Sequence, residues 1–293
     1  MKKTYIDLHT HTLRSDGAYT PAEVVARAGD AGIGVLALTD HNHTADLSDL
    51  RIQFPQIQLI QGAEIGCMYT DSQGRDVEIH VVALGFDPDH PAIRAVLANN
   101  DPDRRPYINA ILDSLRRCGI DLGTYEDMSR RFPNSRQIGR MNIARCMKEL
   151  GYVETVDEAF DRYIGSFGEK RAFVPNPTRY VPMEEAVSAV IESGGVAVLA
   201  HLYYYGMDDQ ENLRLVESFK ALAGNHGGME VYYERYTPEQ RAELKGIADR
   251  YGLMYSAASD FHGQREKDKL ENGFLSTDCQ DLLNHLGLGE ENV

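Results

Sequence analysis

The segment YIDLHTHTLRSDG, residues 5–17, decides how this chain is read. Its first four residues, 5–8, form a short apolar run of strand type that ends directly in His9 and His11. Side chains on a strand alternate between its faces, so a His-x-His pair on extended chain turns both imidazoles to one side. Two imidazoles on one face can grip a single cation, and Asp16, in the turn that follows, adds an anionic oxygen. Six more β-type runs follow, at 35–38, 57–60, 77–84, 196–200, 229–233 and 253–256. Helical stretches separate several of them. Thr20-Pro21 with Glu23 opens one that Gly32 closes, Pro182 precedes another, and Thr237-Pro238 opens a third ending near Gly252. Seven strands alternating with helices predict an α/β fold, barrel-like or layered.

The histidines follow the same pattern. His9, His11, His41, His80, His201 and His262 fall at the ends of these runs or within one, with Glu64 and Asp260 at further run ends. In a barrel, the C-terminal ends of the strands converge on one mouth, so ligands far apart in sequence meet there. Imidazole and carboxylate without sulfur fit Zn, Mn or Fe. His43, His90, His226 and His285 do not share this placement and read as ordinary hydrogen-bonding residues.

Composition narrows the class. The chain has 293 residues, 42% of them hydrophobic, and a formal net charge of −15. That is enough apolar content for a large barrel, and no run approaches the roughly 20 apolar residues that span a bilayer. The early His9 and His11 stand where a signal peptide needs an apolar stretch, so a cytoplasmic protein is expected. Cys67, Cys118, Cys146 and Cys279 lack close spacing and read as reduced thiols. A charge of −15 disfavours tracking along duplex nucleic acid, and no membrane partner is indicated. Between 99 and 176 the alternation stops, and helical patterning (Ile108, Ile111, Leu112, Leu115; Ile143, Met147, Leu150) replaces it. The organisation expected is a discontinuous catalytic barrel, 1–98 and 177–293, with a helical insertion or lid at 99–176. The tail GLGEENV reads as a frayed end.

HTHTLRSDG, LTDHN, GAEI, EIH, AHL and SDFHG occur in that order and resemble the successive metal-binding motifs of the PHP (polymerase and histidinol phosphatase) superfamily of metal-dependent phosphoesterases. The resemblance covers about residues 1–100 and 177–265. It implies a distorted seven-stranded (β/α) barrel holding two or three divalent ions, Mn, Fe or Zn. Carried over by position, His9, His11, Glu64 and Asp260 hold the first metal. Glu64, His80 and His201 hold the second, and Asp16, His41 and His262 the third, while Asp40 orients a ligand. The stretch IGRMNIAR resembles an insertion segment of PHP enzymes acting on nucleotides and related small phosphates, which implies phosphate contacts from Arg140 and Arg145. Met141-Asn142 stand where that pattern has Pro-His, and Leu202 follows His201 where proline is usual.

The function expected is metal-dependent hydrolysis of small phosphate esters by attack of a metal-bridged hydroxide on phosphorus. Candidate substrates are nucleoside phosphates or bisphosphates, cyclic phosphates and the 5′ ends of short oligonucleotides. Glu64, His201 and Asp260 are the expected catalytic residues. A metal-dependent amide or C–N hydrolase and a non-catalytic, metal-stabilised module are the alternatives. Tyr203, Tyr204 and Tyr205 follow a proposed ligand and either stack on a base or sugar or wall the barrel mouth.

Overall fold

The computed structural model describes residues 4–101, 103–165, 168–263, 270 and 273–288; the last five residues of the GLGEENV tail lie outside them. Its strands are β1 (Tyr5–Asp7), β2 (Ile33–Leu38), β3 (Gln58–Thr70), β4 (Asp76–Leu84), β5 (Val196–Leu199), β6 (Gly227–Tyr233), β7 (Met254–Ala258) and β8 (Phe274–Leu275). They form one sheet in the order β7-β6-β5-β4-β3-β2-β1-β8. The chain beyond β1 closes it onto the chain at and beyond β7. Leu8 N–H donates to Ala257 O at 2.9 Å, Asp260 N–H to His9 O at 3.0 Å, and Thr10 bridges Phe261. The result is the distorted (β/α) barrel expected, with a short eighth strand antiparallel to β1.

Helices follow from local chemistry. α1 (Pro21–Asp30) opens with Thr20 and Glu23 capping one another's backbone, and α2 (Ser48–Gln53) leads toward β3. α3 (Pro91–Asn99) follows β4. Then come α4 (Arg105–Arg117), α5 (Tyr125–Arg131), α6 (Arg140–Glu149) and α7 (Val156–Ala159), which runs into a π-helical turn, Phe160–Ile164. α8 (Met183–Glu192), α9 (Asp209–Ala223), α10 (Pro238–Tyr251) and α11 (Gln280–His285) complete the set.

β3 runs far beyond the 57–60 read from sequence. Gly62 and Gly66 interrupt its apolar pattern, and both sit at close approaches. A Cβ on Gly62 would meet Leu38 O at 2.8 Å, and one on Gly66 would meet the Tyr180 ring at 3.2 Å. β3 therefore continues into an antiparallel hairpin with β4, which pairs antiparallel to β5, while the neighbouring pairs β1–β2, β2–β3, β5–β6 and β6–β7 are parallel.

Alternation along β4 separates two cores. Val82 and Leu84 pack with Ile6, Leu8, Val35 and Val198 and onto Leu282 and Leu283 of α11. Their neighbours Ile79 and Val81 pack with Val187 and Val190 of α8 and Leu215 and Phe219 of α9. Burying a side chain of that size contributes about 1.5–3 kcal/mol. The helices from α4 to the π-helical turn carry a buried cluster of their own, including Ile108, Leu115, Met128, Ile143 and Met147.

One buried amide joins these parts. Asn100 is fully buried just after α3; its Nδ2 donates to Gly66 O at 2.7 Å and Asn42 Oδ1 at 3.0 Å, and its Oδ1 accepts from Val181 N–H at 3.0 Å. Asn42 follows His41, and Gly66 lies two residues past Glu64, so the amide pins two of the segments that carry site residues. Replacing Asn100 with Ala strands a buried N–H and a buried carbonyl, at about 1–3 kcal/mol each. Asn100→Ala is expected to lower unfolding stability by about 2–5 kcal/mol in urea denaturation. A loss below about 1 kcal/mol contradicts this role.

Candidate metal centre

Glu64 stands at the centre of the barrel mouth and is 1% exposed. Its Oε1 lies 2.6 Å from His80 Nδ1 and 3.0 Å from His201 Nε2. Its Oε2 lies 2.8 Å from His41 Nδ1, 3.2 Å from His11 Nε2 and 3.3 Å from His9 Nε2. Asp260 Oδ1 approaches His11 Nε2 at 3.2 Å and His262 Nδ1 at 3.4 Å. Asp16 Oδ1 lies 3.3 Å from His262 Nε2 and 3.7 Å from His41 Nε2. The structure thus gathers all nine expected metal-ligating residues. Within them, three compact sets bring possible ligand atoms within 4.8 Å of one another: His9, His11 and Asp260; His41, Glu64 and His80; and His11, Asp16, His41 and His262.

The donor set fits divalent ions. Glu64 Oε2 is buried with no hydrogen-bond donor properly aimed at it, although three imidazole nitrogens stand close by. The Nε2 atoms of His9 and His11 face each other at 3.0 Å. Two nitrogens bound to one ion at about 2.0–2.1 Å each come to rest about this far apart.

Other groups hold these residues in place. His9 Nδ1 meets Glu230 Oε1 at 2.6 Å, and Glu230 Oε2 accepts the His201 N–H at 2.7 Å. This fixes the ring of one histidine and the backbone of another. Asp40 accepts from the N–H and hydroxyl of Thr12 (2.8 and 2.7 Å) and of Ser15 (3.1 and 2.6 Å). Its carboxylate shapes the turn carrying Asp16, and among the described residues it makes no hydrogen bond to a histidine ring. Tyr233 OH donates to Asp260 Oδ2 at 2.8 Å. Asn42, His201 and Asp260 have φ of 49°, 22° and 53°, a left-handed backbone that non-glycine residues rarely adopt. All three belong to or adjoin the cluster, where such strain persists because the surroundings enforce it.

Burial alone would lower the histidine pKa values, but the carboxylates reverse this at three of them. Glu64 and Glu230 hold His9 well above its usual value, Asp260 and Glu64 raise His11 to about 10, and Glu64 and Glu78 raise His80 to about 10. At His41 burial wins and the value falls. Burial likewise opposes the charged carboxylates, yet His80, His41 and His9 keep Glu64, and His262 keeps Asp260, well below the usual range. Without metal, protons hold the cluster together, and a binding cation must displace them.

A cavity of about 200 Å³ opens onto this cluster. Asp16, His41, His80, Asp260 and His262 line it, joined by Glu78 on β4 and Arg235 beyond β6. Arg104, Tyr107, Arg140 and Phe160 come from the helical stretch. Arg145, expected at phosphate, lies outside this lining; its guanidinium stands 5.2 Å from the Phe132 ring centroid. It sits one and a half turns along α6 from Arg140, so the helix carries the two side chains to different surroundings. Asn142 is fully buried and its Oδ1 accepts the Gly139 N–H, capping α6. Sequence reading did not pick out Glu230, Tyr233, Arg104, Glu78 or Arg235. For Glu230 a signal existed: it is a carboxylate inside the otherwise apolar strand run MEVYY.

Comparison with known proteins agrees with this architecture. Residues 7–108 match the PHP domain family. The chain is 34% identical to a 5′-3′ exoribonuclease Rnm of Salmonella typhimurium, over 87% of this chain and 84% of that protein. It is 33% identical to a 3′,5′-nucleoside bisphosphate phosphatase of Chromobacterium violaceum, over 89% of this chain and 88% of that one. A solved structure from the same organism, described as an amidohydrolase with bound sulfate and no metal, superposes with a TM-score of 0.81 at 30% identity, covering 97% of this chain and 96% of that one. No helix among the described residues is long and apolar enough to cross a membrane. The chain belongs to the PHP superfamily of metal-dependent phosphoesterases and is a hydrolase of phosphate esters.

Proposed function

We propose that the substrates are small nucleotides, namely nucleoside phosphates and bisphosphates and the 5′ ends of short oligonucleotides. The observation that carries this reading is the meeting of the His and carboxylate cluster with Arg104, Arg140 and Arg235 around one small cavity. Arginine forks match phosphate oxygens, and a space of about 200 Å³ suits a chain end and excludes a duplex. The names of the exoribonuclease and the bisphosphate phosphatase support the same class.

In this reading His9, His11, Glu64 and Asp260 hold one divalent ion. Glu64, His80 and His201 hold a second, and Asp16, His41 and His262 a third. When bound, such ions supply positive charge that neutralises phosphate oxygens and activates water near neutral pH. Arg140 binds and orients the phosphate, which turns the encounter into a positioned, in-line displacement. The departing alkoxide needs a proton. His201 and Asp260 are the two groups of the cluster that could supply it, directly or through water. The helices at 99–176 act as a lid that selects substrate, a role supported by their separate core and by the side chains they add to the cavity.

The test is to strip the protein with chelator, restore Mn, Fe or Zn singly, and assay phosphate release from nucleoside mono- and bisphosphates, cyclic phosphates and short oligonucleotides. Metal-dependent release from nucleotides is expected. Hydrolysis of N-acyl compounds with none of phosphates would favour a C–N hydrolase instead. Arg140→Ala should raise KM or lower kcat/KM by about tenfold or more with metal content intact, as expected for a lost charged contact; unchanged constants would remove Arg140 from the site. Glu230→Gln should weaken metal binding or activity about 10- to 100-fold by releasing His9 and His201, and full metal affinity with full activity would refute that support.

A further inference from the structure

The three consecutive tyrosines after His201 have different fates. Tyr205 is an anchor: its hydroxyl donates to Ala200 O at 2.7 Å and accepts the His80 N–H at 3.0 Å, which ties the turn to β4 and β5. Tyr203 packs its ring against the buried Tyr236 at 5.4 Å and adds to the main core. Tyr204, between them, remains 47% exposed. Its neighbours on both sides are fixed, and it lies on a short 3-10 turn, Leu202–Tyr204, whose first backbone bond runs from Tyr204 N–H to His201 O.

The Tyr204 ring is held as well as exposed. It stands edge-on to Tyr233 at 5.7 Å and 6.3 Å from Tyr236, residues only 1% and 4% exposed. The His201 ring lies 6.3 Å away, and His201 Nε2 is 3.0 Å from Glu64. A rigid aromatic surface therefore stands at the edge of the metal cluster. It does not line the cavity into which Arg140 projects.

We propose that Tyr204 is a stacking platform for the nucleobase of the substrate. This rests on the nucleotide-hydrolase reading above and extends it: the enzyme selects esters that carry an aromatic base, with the phosphate at the cluster and the base on Tyr204. A base has a π-face whatever its identity, so such a platform gives affinity for nucleotides with little sequence preference. Preorganisation by Tyr233 and Tyr236 limits the entropy lost when the base settles.

The chain contains no tryptophan, so Tyr204→Trp places a single tryptophan, excitable apart from the tyrosines, at this position. In the Mn²⁺-loaded variant, adenosine 5′-monophosphate is expected to quench its emission saturably, and ribose 5-phosphate to leave it unchanged. In steady-state assays Tyr204→Ala should raise KM for adenosine 3′,5′-bisphosphate about tenfold at unchanged kcat, without altering hydrolysis of ribose 5-phosphate. Quenching by neither compound, equal quenching by both, or an unchanged KM in Tyr204→Ala would overturn the proposal. Saturable quenching by adenosine 5′-monophosphate alone, with no phosphate released from either substrate, would uphold stacking while refuting the hydrolase reading on which the substrate class rests.

Discussion

One carboxylate set among five imidazoles organises this protein. Glu64 has ring nitrogens of His9, His11, His41, His80 and His201 within 2.6–3.3 Å of its two oxygens. Burying a carboxylate without compensation is prohibitive, so the fold must deliver positive charge to it. Strand ends far apart in the chain do so, and the barrel is the geometry that lets them arrive together. The strained backbone at His201 and Asp260 and the close approaches at Gly62 and Gly66 flank this arrangement. Glu230 and Asn100 then hold its rim from behind.

Much of this was legible in the chain itself. Short apolar runs and proline-led helix starts marked the strands and helices of the barrel, because both are local signals. The His-x-His pair could be read as a ligand pair because extended backbone leaves few other orientations. What escaped reading was non-local. β3 extends past Gly62, where a Cβ would press on Leu38 O, and Gly66, which lies close under the Tyr180 ring, and β8 is two residues long. Arg104 and Arg235 look like any surface arginine until the fold turns them toward the cavity. Arg140 and Arg145 share one motif, but their offset around α6 puts Arg140 in the cavity lining and Arg145 beside Phe132. Among the three tyrosines, exposure beside His201 singles out Tyr204, and no pattern in the sequence encodes exposure.

The acidic balance of the chain takes on a different meaning in this light. A net charge of −15 argues against tracking along a polyanion. Yet Asp16, Asp40, Glu64 and Asp260 are spent on the cluster and its supporting turn, and two or three divalent ions would outweigh them locally. Three arginines add positive charge at the same cavity. With ions bound, an acidic surface would surround a locally positive mouth, where a small phosphate ester is better matched than a duplex.

A buried cluster of imidazoles and carboxylates of this composition is suited to holding divalent ions. Metal content of the purified, dialysed protein, measured by inductively coupled plasma mass spectrometry, tests it most directly. Two or three equivalents of Mn, Fe or Zn per chain are expected, falling to below one when Glu64 is replaced by Ala. Less than one equivalent in the parent protein, even after incubation with each metal, would contradict the account.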